Sequence, residues 1–140
     1  MNGTKPDLEA LYGEESARAR KRYEHLREKY TEEFGAAELR FFSSPGRTEI
    51  IGNHTDHNGG KILAGSITLD PVCAAAPTDD GVITIVSEGY RPVSVDTKAL
   101  SATAKEDGSK SLVAGIAEAA EQFGYKVGGF RAYVTSEVIA

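Results

Sequence analysis

From Ser16 to about Phe34, apolar residues return at spacings of three and four: Tyr23, Leu26, Tyr30 and Phe34 fall on one stripe of a helix. The other positions are mostly charged, among them Arg18, Arg20, Lys21, Arg22, Glu24, Arg27, Glu28 and Lys29. Pairs such as Glu24 with Arg27 share a face. The run Arg18-Ala19-Arg20-Lys21-Arg22 reads as a solvated helix face, with a phosphate or partner contact as the alternative. Gly35 stands where a helix C-terminus takes a left-handed residue.

Beyond Gly35 the period shortens to that of strands. Leu39 to Ser43 is the first, and Arg47 to Ile51 follows a Pro45-Gly46 turn. Lys61 to Thr68, Val72 to Ala76, Val82 to Ser87 and Val93 to Asp96 come next. Asp79-Asp80-Gly81 between the fourth and fifth is a hairpin signal, so this region predicts a meander of antiparallel strands. Asp107 to Lys110 is a loop. Ser111 to Phe123 is a second helix, with Leu112, Val113, Ile116, Ala120 and Phe123 as its inner face and Gly124 as its cap. In the run from Gly129 to Ile139, Phe130, Ala132 and Val134 alternate with Arg131, Tyr133 and Thr135, a last strand. There is no internal repeat and no low-complexity segment. The fold class is α+β: an N-terminal helix, a mainly antiparallel sheet and a packing helix. Termini are usually polar, so an apolar strand running to Val138-Ile139-Ala140 leads us to expect a domain, residues 1–140, that is incomplete at its C-terminal end.

A length of 140 residues suits one domain with a real core. A net charge of −5 argues against a nucleic-acid partner, which needs a basic face. The single cysteine, Cys73, excludes an intrachain disulfide and reads as a buried, inert thiol in an apolar run. No apolar signal segment opens the chain and no run approaches membrane-spanning length, so a cytoplasmic setting without membrane contact is expected. Asn2-Gly3-Thr4 and Asn53-His54-Thr55 match the glycosylation pattern by chance on that view.

The chemistry is concentrated in Gly46 to Gly60, GRTEIIGNHTDHNGG. Arg47 offers a planar fork of donors for an anionic oxygen. Asp56 offers two acceptors suited to vicinal hydroxyls, His54 can donate or accept, and Asn53 and Asn58 add amides. Gly46, Gly52, Gly59 and Gly60 allow tight turns and close approach of backbone to a ligand. An Ile50-Ile51 pair ties the segment to a core. Such a set suits a small polyol near a phosphate. A metal site at His54-Thr55-Asp56-His57 is the weaker alternative: no further His/Cys cluster completes it, since His25 lies on the charged helix. A loop whose Asn and Asp side chains bond only their own backbone is the bland one.

Ser44-Pro45-Gly46-Arg47, Ile50-Ile51-Gly52 and His54-Thr55-Asp56 together resemble the N-terminal sugar-binding motif of galactokinases, members of the GHMP kinase superfamily. The resemblance is tight over about Glu38 to Ile67 and elsewhere lies in the order of elements. It implies the N-terminal domain fold of GHMP kinases. By the same resemblance Arg47 lies between the anomeric hydroxyl and the transferred phosphate, while Asp56 and His54 bond ring hydroxyls. Asn53 stands where most members carry a glutamate for the outer hydroxymethyl group, Glu49 where most carry asparagine, and His57 where most carry tyrosine. Those departures bear on which sugar is taken more than on the reaction. Glu49 either orients Arg47 through an ion pair or caps a turn.

The resemblance further implies ATP-dependent phosphorylation of galactose to galactose 1-phosphate, with Mg²⁺ as the charge partner of ATP. The family binds the ATP phosphates on a Gly/Ser-rich loop opening a helix, and places an aspartate beside the sugar hydroxyl; neither is found in these 140 residues. ATP and Mg²⁺ are therefore expected mainly on residues outside this chain, and the chain alone is expected to be inactive. A non-catalytic sugar-binding or regulatory module on the same fold is the alternative. A monomer is the expected state.

Overall fold

The structure, a computed structural model, describes residues 7–52, 59–105 and 108–138. Asp7 opens it as an N-cap: its Oδ1 accepts from the amides of Glu9 and Ala10, both at 3.1 Å, and starts a short helix α1 (Leu8–Tyr12) that the hydrophobic pattern does not predict. One 3-10 turn (Gly13–Glu15) leads into α2 (Ser16–Phe34), whose bounds are those predicted. Gly35 closes it with φ +85°, its amide donating to the Thr31 carbonyl.

Seven strands follow among the described residues: β1 (Arg40–Ser43), β2 (Arg47–Ile51), β3 (Leu63–Ser66), β4 (Pro71–Thr78), β5 (Val82–Ser87), β6 (Val93–Asp96) and β7 (Gly129–Ser136). Between β6 and β7 lie a 3-10 turn (Thr97–Ala99), a one-turn helix α3 (Leu100–Thr103) and α4 (Ser109–Gln122). Five strands form the main sheet in the order β1-β4-β7-β5-β6, and β2 and β3 form a separate antiparallel ribbon. The sheet is mainly antiparallel, as predicted, but β5 and β7 run parallel.

That parallel pair corrects the expected meander. β4 and β5 are not hairpin partners; β7 lies between them. The physical reason sits at Gly129, where β7 enters. A Cβ there would meet Thr78 Oγ1 at 2.7 Å, the Val82 amide at 2.8 Å and Asp80 Oδ1 at 2.9 Å. Only a residue without a side chain fits between the two strand ends. The Asp79-Asp80-Gly81 turn is real, with Gly81 at φ +71° and Asp80 accepting from Thr78 and the Val82 amide, but it serves as the mouth into which the last strand inserts.

Two apolar clusters flank the sheet. Leu26 and Tyr30 of α2 pack on Val72, Ala74 and Ala76 of β4 and Tyr133 of β7, with Tyr23, Phe34 and Phe41 around them. On the opposite face, Ala114 and Ala117 of α4 pack on Ile83, Val95 and Leu100. The α2 stripe is the predicted one. The inner face of α4 is so only in part: Val113 packs against this cluster, but Leu112, Ile116 and Phe123 are exposed, Ile116 by 74%. The buried line is the alanine line, because small side chains let the helix approach the sheet closely; the larger residues then point away.

The basic run of α2 is corrected as well. Arg18, Arg20 and Lys21 are exposed as expected, but Ala19 is buried and Arg22 is turned inward onto Asp70. Ile50 and Ile51, expected to reach a core, are exposed, because the ribbon carrying them stands apart from the main sheet.

Candidate functional site

Arg47 opens β2 directly after the Pro45-Gly46 turn. That turn is held by two backbone bonds: the Gly46 amide donates to the Leu69 carbonyl (2.8 Å) and the Ile67 amide donates to the Gly46 carbonyl (2.9 Å). A side chain at Gly46 would meet Val138 Cγ2 at 2.8 Å and Ile67 Cδ1 and the Leu69 carbonyl at 3.1 Å. The turn is therefore closely packed against the segments before β4 and after β7. At the other end of β2, Gly52 has φ +91°, and a Cβ there would lie 2.2 Å from the Lys61 carbonyl. Both the left-handed backbone and the close crossing of the two ribbon strands demand glycine.

Between these fixed points β2 presents Arg47 and Glu49 two residues apart, on one face of the strand. Arg47 Nε and Nη2 both donate to Glu49 Oε1, at 3.1 and 2.8 Å. The Arg47 side chain is 74% exposed and that of Glu49 only 16%. Glu49 Oε2 is buried and accepts no hydrogen bond among the described residues. An unsatisfied carboxylate oxygen is costly, so the site has acceptor capacity to spare beside a guanidinium that reaches solvent. Asn53, His54 and Asp56, together with His57 and Asn58, lie outside the described residues.

Behind the turn is a polar cluster that sequence reasoning missed. Asp70, 2% exposed, is the one buried charged residue among those described. Its Oδ1 accepts from Arg22 Nη1 at 2.7 Å; its Oδ2 accepts from Tyr12 Oη at 2.6 Å and Ser43 Oγ at 2.5 Å. Arg22 Nη2 donates to the Asp70 carbonyl at 2.9 Å, and Arg22 Nη1 lies 3.0 Å from Glu137 Oε2. Burial alone raises the Asp70 carboxyl; the bonds from Ser43, Tyr12 and Arg22 outweigh it and hold the group below the usual carboxylate range. The Tyr12 hydroxyl moves the other way, raised by burial and by its bond to Asp70. A cavity of about 400 Å³ opens beside the cluster, lined by Leu11, Arg18, Pro45 and Leu69 among others. The available signal was a lone aspartate flanked by the apolar positions Leu69 and Val72.

Cys73 on β4 is half-buried rather than fully buried as expected, and burial pushes its thiol up to about 11, in keeping with an inert thiol. Among the described residues no group of three or more His, Cys, Asp or Glu side chains is placed to hold a metal ion. Among the same residues no helix is long and apolar enough to cross a membrane.

Residues 28–77 match the galactokinase galactose-binding signature. The chain is 34% identical to the galactokinase of Bacillus subtilis (strain 168) over 107 residues, 74% of this chain and 27% of that one. It is 46% identical to a galactokinase of Streptococcus thermophilus over 65 residues, 46% of this chain and 17% of the other. In three dimensions it matches Lactococcus lactis galactokinase complexed with galactose with a TM-score of 0.71 at 30% identity, over 84% of this chain and 31% of that one. Mevalonate kinase from Methanococcus jannaschii shares the fold alone, with a TM-score of 0.53 at 14% identity over 74% of this chain and 34% of that one. The chain thus spans between about a sixth and a third of the length of these relatives.

Proposed function

The chain carries the galactokinase galactose-binding signature on the galactokinase fold, and from that premise we propose that it supplies part of the sugar site of an enzyme that transfers the γ-phosphate of ATP to the anomeric hydroxyl of galactose. The observation that carries this reading is the Arg47–Glu49 pair. Inside the signature, and held between two fixed glycines, a largely exposed guanidinium is oriented by a mostly buried carboxylate. Phosphoryl transfer is mainly positioning and charge stabilisation, and a guanidinium so oriented offers both for an oxygen shared between sugar and phosphate. Glu49 has one oxygen engaged and one spare, which is assigned to a sugar hydroxyl. Asn53, His54 and Asp56 are assigned to the remaining hydroxyls on the pattern of the motif.

The described residues do not fit the metal, and neither Mg²⁺ nor ATP is assigned to them. Residues 1–140 form one sugar-binding domain in this reading, and the nucleotide belongs to the rest of a longer cytoplasmic protein. A non-catalytic sugar-binding module has no observation of its own in its favour.

Titration calorimetry tests the sugar site. Galactose should bind the protein carrying this chain, and Arg47→Ala and Asp56→Ala should each weaken binding or turnover by about tenfold or more, the loss of a charged hydrogen bond. The 140-residue chain alone should give no galactose-dependent ATP turnover. Absence of binding by galactose and by its epimers refutes the sugar reading; turnover by the isolated chain above an Arg47→Ala control refutes the division of labour.

A further inference from the structure

The Asp70 cluster joins four segments distant in sequence: Tyr12 at the end of α1, Arg22 on α2, Ser43 at the end of β1 and Glu137 after β7. Stability alone does not call for a buried aspartate there, since apolar groups of the same shape often serve as well. What distinguishes the place is its neighbour. Asp70 is flanked by Leu69, whose carbonyl accepts from the Gly46 amide, and by Pro71, whose carbonyl accepts from the Ser44 amide at 3.2 Å. Ser43, which donates to Asp70, is the last residue before that same stretch. The turn Ser44-Pro45-Gly46 is thus held to the Asp70 segment on both sides of Asp70, and its first neighbour is tied to the Asp70 side chain itself. Arg47 is the next residue.

We infer that Asp70 is a positioning residue: held by Tyr12, Ser43 and Arg22, it sets the height of the Pro45–Gly46 turn and through it the place of the Arg47 guanidinium. It touches no reacting atom. An Asn at this position keeps the shape but cannot accept from all three donors, because one of its two acceptor groups becomes a donor facing them. The geometric part of the inference stands on the structure; the catalytic part rests on the sugar-kinase reading of Arg47.

Two measurements separate those parts. Amide exchange, followed by NMR on the chain itself, reads the turn directly. Asp70→Asn should speed exchange at Gly46 and Ile67 by about tenfold, the loss of about one good hydrogen bond, while Ile83 on β5 and Val95 on the edge strand β6 change less than about twofold. Should Asp70→Asn not fold, Ser43→Ala is expected to show the same selective effect at smaller amplitude. The kinetic arm uses the protein that phosphorylates galactose: Asp70→Asn should lower kcat about tenfold with KM for galactose within about twofold, the signature of an interaction made in the transition state. A variant with lowered Tm but unchanged Gly46 exchange and unchanged kcat overturns the inference and leaves Asp70 a structural residue. A wild-type protein inactive toward galactose sinks the sugar reading instead, and the exchange arm still decides the geometry.

Discussion

Replacing Arg22 with alanine sets the structure against the simplest reading of its sequence. Arg18, Arg20, Lys21 and Arg22 form one basic run, and on pattern alone all four face solvent. In the fold, Arg22 makes three polar contacts: with the Asp70 carboxylate (2.7 Å), the Asp70 carbonyl (2.9 Å) and Glu137 (3.0 Å). Its side chain is 15% exposed and that of Asp70 3%, so the pair is little screened. Removing the arginine leaves Asp70 Oδ1 without its protein donor, beside the cavity that the pair lines. Breaking a buried pair costs about 3–5 kcal/mol, and the lower end applies because Tyr12 and Ser43 still donate to Oδ2. For a domain of this size the unfolding entropy is about 0.3 kcal/mol per degree, so Tm should fall by about 10 °C. Arg20 and Lys21 make no hydrogen bond or ion pair among the described residues, and Arg20→Ala and Lys21→Ala should each stay within about 0.5 kcal/mol of wild type. The pH dependence has a definite sign. The folded Asp70 carboxyl is held below its unfolded value, so its contribution is present above the unfolded carboxylate pKa of about 3.9 and is lost as pH falls through the folded value. The gap between Arg22→Ala and wild type should therefore be full at pH 7 and shrink below about pH 4. Differential scanning calorimetry across that range is the assay. An Arg22→Ala protein that melts with Arg20→Ala at pH 7 refutes the reasoning.

The helix register of α4 is open to a similar contrast. Ile116→Gln should be nearly neutral in urea unfolding, within about 0.5 kcal/mol, whereas Ala117→Leu should cost about 1–3 kcal/mol by overpacking against the sheet; the reverse order would mean that the inner face is misassigned. Gly52→Ala should cost at least about 1–2 kcal/mol, since the left-handed backbone and the 2.2 Å approach to Lys61 both oppose a methyl group. Loss of the cross-ribbon NOE between Glu49 and Ala64, which are paired in register, would report it. With its thiol near 11, Cys73 should react with a disulfide reagent at pH 8 orders of magnitude more slowly than a free thiol, and only unfolding should restore the normal rate; fast labelling of the native chain rules out a buried, inert thiol.

The parts legible in the sequence were those governed by local period and local chemistry. The α2 stripe of Tyr23, Leu26, Tyr30 and Phe34 was readable because each large apolar residue on it meets the sheet, and Gly35 because a helix end needs one left-handed residue. Galactokinase-like character was readable because the motif around Arg47 is dense and local. What failed depended on residues far apart in the chain. Asp79-Asp80-Gly81 carries every local sign of a hairpin, yet β4 and β5 part to admit a strand that begins some fifty residues later, and the enabling residue is the plain Gly129. In α4 the hydrophobic scale weights Leu112, Ile116 and Phe123 above alanine, but close approach to a sheet rewards the smallest side chain rather than the most apolar one.

Arg22 and Asp70 show the same limit at the candidate site. Each looks ordinary in its own neighbourhood, one arginine among several on a helix and one aspartate before a strand. Their meaning appears only when the fold brings two residues 48 positions apart in the chain to 2.7 Å. Local pattern therefore finds the side chains that face a ligand, which must cluster on one short segment to converge. It does not find those that hold that segment in place, because a support works by tying the segment to elements that are remote in sequence. In the reading proposed above, the Arg47–Glu49 pair is of the first kind and the Asp70 cluster of the second, which is why the first lies in a short motif and the second is scattered along the chain.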